Sequence, residues 1–373
     1  MARAPRDGAV FTVVVTVLVL VCAVPMTVVV GLSGAPRGTV LAAILAAVPV
    51  GPLVACFLWL DRYEPEPRRL LAGGLLWGVF VATAIALLLE GVGGFVGGLS
   101  DRRMLELGAP LAEEASKGLF LLLLLWWRRS ELDGVLDGLV YAGMVGVGFA
   151  FTENILYLAS AYDGTAGVGP GGVHALTGTF ILRCLVSPFA HPLFTACTGV
   201  GVGIAVNSRR RVVRIVAPLA GYACAVLAHA AWNTATVYDP GSFLSVYLIL
   251  MAPAFLMAVA LATWVRHAEG RMLAGALADA ARRGLLPATD IGWVVDLRAR
   301  RRSRAYARQT GGPGAEHAMR DYQQAVVELG FLHSRYLRGV PPPDFADRGR
   351  AYVARISQIR PSIAFPGQVV PVR

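Results

Sequence analysis

Glu113, Glu114 and Lys117 fall within one helical turn of an otherwise apolar run, a grouping that could activate water and that hydrocarbon penalises. A charged side chain at the centre of a membrane helix costs roughly 2.5–3.5 kcal/mol on insertion scales, so it persists there for a functional reason. Three later apolar runs carry Glu153 with Asn154, then Arg183, Ser187, His191 and Thr195, then His229 with Asn233. On a helix Glu113 and Lys117 are i and i+4 neighbours in the favourable order for an ion pair, while Glu114 points about 100° away and keeps a carboxyl free to take and return a proton. Arg183, Ser187, His191 and Thr195 follow at steps of four and form one polar stripe, kinked by Pro188 and Pro192. His229 and Asn233 share a helix face and can offer two donors to one oxygen, as an oxyanion site does.

The chemistry these types support is hydrolysis by carboxylate-activated water. Glu113 or Glu114 is the general base, Lys117 tunes the pair, and Glu153, His191, His229 and Asn233 complete the catalytic set. Asn154 and Thr195 are candidate substrate contacts. No serine or cysteine with a neighbouring base is evident, which argues against a covalent route. Glu153, His191 and His229 also suit Zn2+ by residue type, although the HExxH spacing of zincins is missing, so the reaction reads as compatible with or without a metal. Taken singly, each group has a structural reading: a buried salt bridge, a hydrogen-bonded core histidine, an interhelical clasp. Their common depth in the membrane favours a site.

That depth comes from the elements. The chain has 373 residues, 56% hydrophobic and 16% charged, with a mean hydropathy of +0.59, too apolar for an ordinary water-soluble enzyme. Apolar runs near 10–32, 39–60, 70–90, 105–127, 135–160, 176–206, 212–236 and 243–265 predict an all-α polytopic membrane bundle of about eight transmembrane helices. The first run is longer than the roughly 7–15 residues of a secretory signal core and reads as a helix. With the N-terminus inside, the inner segments carry Arg3, Arg6, Arg62, Arg68, Arg69, Arg128, Arg129, Arg209, Arg210, Arg211 and Arg214, while the outer loops carry only Arg37, Arg102 and Arg103. This bias predicts a multi-pass protein of a cytoplasmic membrane with both termini cytoplasmic. At about 1.5 Å rise per residue, the polar groups of the fourth to seventh helices then converge roughly 10–20 Å below the outer surface.

Residues 1–266 thus read as a membrane-embedded domain, with its catalytic helices at about 105–236, and residues 267–373 as a helical, Arg-rich cytoplasmic tail. The tail holds 17 Arg against 9 Asp plus Glu and divides into amphipathic helices near 267–283, 289–309, 314–338 and 344–358. Its most basic stretch, Arg298 to Arg308, reads as a solvated face or a contact with anionic lipid, and no nucleic-acid partner is expected. The five cysteines lie in apolar runs without CxxC spacing, which suggests neither a disulfide framework nor a cysteine zinc site. Of the 34 Lys plus Arg only Lys117 is lysine, so that position escaped a chain-wide drift towards arginine.

The ordered segments Glu113-Glu114-Ala-Ser-Lys117, Phe149-Ala-Phe-Thr-Glu153-Asn154, His191-Pro-Leu-Phe-Thr195-Ala196 and His229-Ala-Ala-Trp-Asn233 resemble the EExxK, FxxxEN, HxxxTA and HxxxN motifs of the PrsW intramembrane proteases. Asp61-Arg-Tyr-Glu-Pro-Glu-Pro67 resembles a loop common in that family, and the resemblance covers about residues 55–236. It implies a bacterial intramembrane endopeptidase, related to the type II CAAX prenyl endopeptidases and bacteriocin-processing membrane proteases and often labelled a metalloprotease. It also implies a membrane-bound protein substrate in the bilayer, with an anti-sigma factor of a stress response as the family's namesake target. The competing classes are a proton-coupled transporter using the same Glu/Lys/His network and a non-catalytic scaffold.

Overall fold

Helices here meet where glycines let their backbones touch. The computed structural model of the chain describes residues 6–63, 65–98, 100–165, 170–237 and 240–367, and contains no strand among them. The long helices are α1 (Arg6–Leu32), α2 (Pro36–Leu60), α3 (Arg68–Phe95), α4 (Ala109–Trp127), α5 (Val135–Asp163), α6 (Val173–Val206), α7 (Arg211–Val237) and α8 (Phe243–Arg282). All except α4 are long and apolar enough to cross a membrane, seven among the described residues; the 19-residue α4 is set apart by Glu113, Glu114 and Lys117. The chain is an all-α polytopic membrane bundle, in the helix order its apolar runs predict.

The centre of the bundle is α5. Of the most apolar stretch of α5, 89% is buried, against 11% for α1 and 6% for α8, which face outward. Glycines place α5 there. A β-carbon on Gly78 of α3 would lie 2.1 Å from the Val145 carbonyl oxygen of α5, and one on Gly148 of α5 would lie 2.0 Å from that of Leu75. On another face of α5, Gly138 and Gly199 of α6 oppose each other with corresponding distances of 2.1 and 2.2 Å. Such seams are the expected way for helices to associate in lipid, where close packing replaces the hydrophobic effect. Gly201 of α6 and Gly221 of α7 repeat the device, at 2.3 Å to the Ala217 oxygen and 2.5 Å to the Cys197 oxygen. Helices α4 to α7 are thereby held as one scaffold.

The loop from Asp61 to Pro67 acquires a structural reason. Asp61 Oδ2 accepts from the Glu66 backbone N–H at 2.7 Å and closes the turn, while the Tyr141 hydroxyl of α5 donates to Glu66 Oε2 at 2.5 Å. Asp137, in the first turn of α5, accepts from the N–H groups of Asp133 and Gly134 at 2.7 and 2.8 Å and satisfies donors that a helix start leaves open.

The chain separates into two compact units: residues up to Asp61 together with Glu66–Ala262, and Arg62–Pro65 together with Thr263 onward. The second has its own apolar core, including Leu273, Leu277, Val294, Tyr322, Val326 and Phe365. The tail expectations are corrected in two places. The predicted helix 289–309 starts instead at Leu297, because the Asp296 carboxylate accepts from the N–H groups of Arg298 and Ala299 at 2.6 and 3.1 Å. α9 (Ile291–Val295) precedes it, α10 (Leu297–Leu337) kinks at Gly312, where φ is 72°, and α11 (Phe345–Ile359) comes next. The Arg298–Arg308 run is also not one solvated face. Arg300 is buried, donates to the carbonyls of Val294, Arg62 and Tyr63, and has its guanidinium pKa pushed down to about 10 by burial. Arg298, Arg301, Arg302 and Arg308 are exposed.

Candidate active site

Lys117 organises the site. Its fully buried ammonium donates to Glu113 Oε2 at 3.1 Å, Glu114 Oε1 at 2.8 Å and His191 Nδ1 at 3.1 Å, and sits 3.8 Å from the centroid of the Phe149 ring. Three N–H bonds meet three acceptors, with a cation–π contact beside them. The expectation that Lys117 pairs with Glu113 and leaves Glu114 free is corrected: a lysine stem reaches back to both i−4 and i−3 positions on its helix.

Glu114 is the more committed of the two glutamates. Oε1 accepts from Lys117 and from His229 Nδ1 at 3.0 Å, and Oε2 lies 3.1 Å from the Thr195 hydroxyl, with no exposure of the side chain. Glu113 has its Oε2 near three groups: Lys117, His191 Nδ1 at 3.8 Å and His229 Nε2 at 3.7 Å. The last two separations are too long for direct hydrogen bonds and short enough for a water between them.

The partners of the two histidines fix their protonation. An ammonium only donates, so His191 Nδ1 is an acceptor, and its Nε2–H donates to Glu153 Oε2 at 2.6 Å. His229 donates Nδ1–H to the Glu114 carboxylate, which leaves its Nε2 lone pair directed at the Glu113 side of the site. The imidazole stacks on Phe194, with centroids 4.8 Å apart.

Glu153 also pairs with the Arg183 guanidinium, whose Nε–H donates to Asn154 Oδ1 at 2.8 Å. The expected stripe of Arg183, Ser187, His191 and Thr195 is broken: α6 makes a π-helical turn over Ile181–Val186 and interrupts at Ser187–Phe189, before Pro192. A π turn inserts an extra residue and rotates the rest of the helix, so steps of four no longer share a face. Ser187 turns back to the Leu182 carbonyl at 2.7 Å, and Arg183 and His191 meet instead on Glu153. Arg183→Met would leave Glu153 without its strong cation. It is expected to cost about 3–5 kcal/mol of stability, as when one partner of a buried ion pair is removed, measured as a lower unfolding midpoint in detergent.

The remaining predicted residues have other placements. Thr195 and Asn154, expected to meet substrate, are buried and hold Glu114 and Arg183. Asn233 donates from Nδ2 to the Leu105 carbonyl at 3.0 Å, so part of its amide anchors α7 to the segment before α4 instead of pairing with His229 on one oxygen. Among the described residues the three-ligand grouping is Glu113, His191 and His229, with donor atoms within 4.8 Å of one another, and not the expected Glu153, His191 and His229. Glu153 is drawn to Arg183. Phe149 is visible in the sequence only as part of a motif; its position one turn before Glu153 on α5 is the available signal for its place under Lys117.

Residues 66–258 match the family described as PrsW family intramembrane metalloprotease, a stretch that holds every residue of this site. The chain belongs to the PrsW family. It is 32% identical over 176 residues to Protease PrsW of Geobacillus kaustophilus, covering 45% of this chain and 69% of that one. To Protease PrsW of Bacillus subtilis it is 30% identical over 159 residues, 40% of this chain and 62% of the relative. No solved structure matches. The protein is accordingly a membrane peptidase, and the transporter and scaffold alternatives fall away.

The family's description raises the question of a metal. A carboxylate and two imidazoles are the donor types of catalytic zinc centres. The space is taken, however. An ion about 2.0–2.2 Å from both Glu113 Oε2 and His191 Nδ1, which are 3.8 Å apart, would lie within roughly 3.5 Å of Lys117 Nζ. In this PrsW-family site the residues do not fit a metal with the lysine where it is.

Proposed function

We propose that this protease hydrolyses a peptide bond of a membrane-bound protein by activating water between Glu113 Oε2 and His229 Nε2. The observation that carries this reading is the division of labour between the glutamates. Glu114 is saturated by Lys117, His229 and Thr195, whereas Glu113 faces an imidazole lone pair across 3.7 Å. Glu113 takes the proton as water adds to the substrate carbonyl and returns it to the departing amine. His229 orients the water. His191 and Glu153 hold the far side of the cluster, and Lys117 offsets the negative charge that develops on the carbonyl oxygen.

Charge balance supports the assignment. The groups in direct contact are three carboxylates (Glu113, Glu114, Glu153) and two permanent cations (Lys117, Arg183), with two histidines that their partners keep neutral. One negative charge is in surplus. Protonating Glu113 cancels it, so proton uptake from water relieves an imbalance in a poorly hydrated site.

The substrate we propose is a single-pass protein, an anti-sigma factor by the family resemblance, cut in the outer half of a bacterial cytoplasmic membrane with both termini of the protease cytoplasmic. In the same reading residues 1–266 form the protease domain, and the tail from 267 to 373 meets anionic lipid through Arg298, Arg301, Arg302 and Arg308, exposed on α10. The test compares newly formed peptide termini of membrane proteins in cells expressing wild type or Glu113→Gln at matched levels. Termini within or just outside single transmembrane segments should vanish with the variant. Identical profiles, with wild type folded and its substrate class present, would overturn the reading.

A further inference from the structure

We propose that the Lys117 ammonium is the resident cation of this site, occupying the place that a catalytic metal ion would take and excluding one from the resting enzyme. The inference concerns the active site itself, but it does not require Glu113 to be the base, because it is read from metal content and not from turnover.

Three observations point the same way. Lys117 Nζ is within 3.1 Å of two of the three donor atoms that a metal would need, Glu113 Oε2 and His191 Nδ1, and bonds at 2.8 Å to Glu114, the carboxylate that holds the third ligand, His229. An ion on those donors would touch a second cation in a site where the ammonium has no exposed surface and no water to retreat into. The ammonium is also fully used: its three hydrogens meet three acceptors, so swinging aside would break all three bonds and expose the charge to Phe149 and apolar neighbours.

The second line is chemical. A primary ammonium presents three tetrahedrally arranged donors on one compact centre, much as a small metal ion gathers ligands around a point; a planar guanidinium spreads its donors over a fork and cannot. In a chain whose other basic side chains are all arginine, the position needing a point-like cation is the one that holds lysine. The family's descriptive name and this chain's geometry therefore diverge, and the divergence rests on one side chain.

The experiment uses the full-length, untagged protein in detergent, incubated with ZnCl2, desalted and assayed by elemental mass spectrometry, with thermal unfolding as the check on folding. Wild type should retain well under one zinc per chain. Lys117→Ala vacates the position and leaves Glu113, His191 and His229 facing one another, so it should retain about one zinc per chain. Lys117→Ala combined with His191→Ala should lose it again. Stoichiometric zinc on wild type that disappears with His191→Ala would overturn the proposal. So would a folded Lys117→Ala protein that takes up none, because the lysine would then not be what keeps the metal out. Should Lys117→Ala fail to fold, wild type and His191→Ala still decide the matter.

Discussion

Glu113→Gln should lower peptide-bond hydrolysis by about 10²–10⁴-fold, the range for loss of a positioned general base, with little change in folding. The substitution is nearly isosteric. The amide can still accept from Lys117 through its oxygen, so the bond now made at 3.1 Å survives, while the lone pairs that would take a proton from water are gone. Glu114→Gln is expected to behave differently. That carboxylate accepts from Lys117, His229 and Thr195, and an amide cannot serve all three with an NH2 in place of one oxygen. Its loss of activity should come with a lower unfolding midpoint, whereas Glu113→Gln should keep the wild-type midpoint. Measuring cleavage of a reconstituted single-pass substrate alongside thermal unfolding separates the two. Equal destabilisation by both, or a fully active Glu113→Gln, would count against Glu113 as the base.

Lys117→Arg should be nearly as damaging, although arginine is the ordinary basic residue of this chain. The guanidinium is larger than the space an ammonium fills between Glu113, Glu114, His191 and the Phe149 ring, and the side chain is wholly buried. Overpacking of this kind typically costs 1–3 kcal/mol. Displacement of His191 or Glu113 by even 1 Å is expected to lower the rate by about 10²-fold. The formal charge is unchanged, so a large loss would show that the site depends on the shape of its cation. Activity within about threefold of wild type would contradict the three-way coordination of the ammonium by Glu113, Glu114 and His191.

Much of the site is legible in the sequence, because membrane burial leaves few reasons for Glu113, Glu114, Lys117, Glu153, His191 and His229 to lie in apolar helices. Helix periodicity also supplies the Glu113–Lys117 pair. What it cannot supply are choices made by rotamers and by irregular turns. Lys117 reaches Glu114 as well as Glu113 through its long stem, and spacing permits either. The π-helical turn at Ile181–Val186 changes the phase of α6, so the stripe drawn at steps of four does not exist, and Arg183 captures the Glu153 that residue type alone groups with metal ligands. Asn233 turns to a backbone carbonyl on a segment far away in sequence. Arg300 is hidden by its neighbours: one buried arginine in a run of exposed ones has no distinguishing signal in the sequence.

The glycine seams limit how far this sequence can diverge. At Gly78, Gly138, Gly148 and Gly199 the atom that a new β-carbon would strike is a main-chain carbonyl oxygen, at 2.0–2.2 Å. No substitution elsewhere can trim a carbonyl, so these positions have no compensating partner and any departure moves a whole helix. Gly31 and Gly51, with nothing within 4 Å of the same hypothetical atom, are free to become alanine. Lineages carrying this scaffold should therefore vary on the lipid-facing surfaces of α1 and α2 while the axis through α3, α5 and α6 stays fixed, a pattern set by the main chain and independent of which substrate is cut.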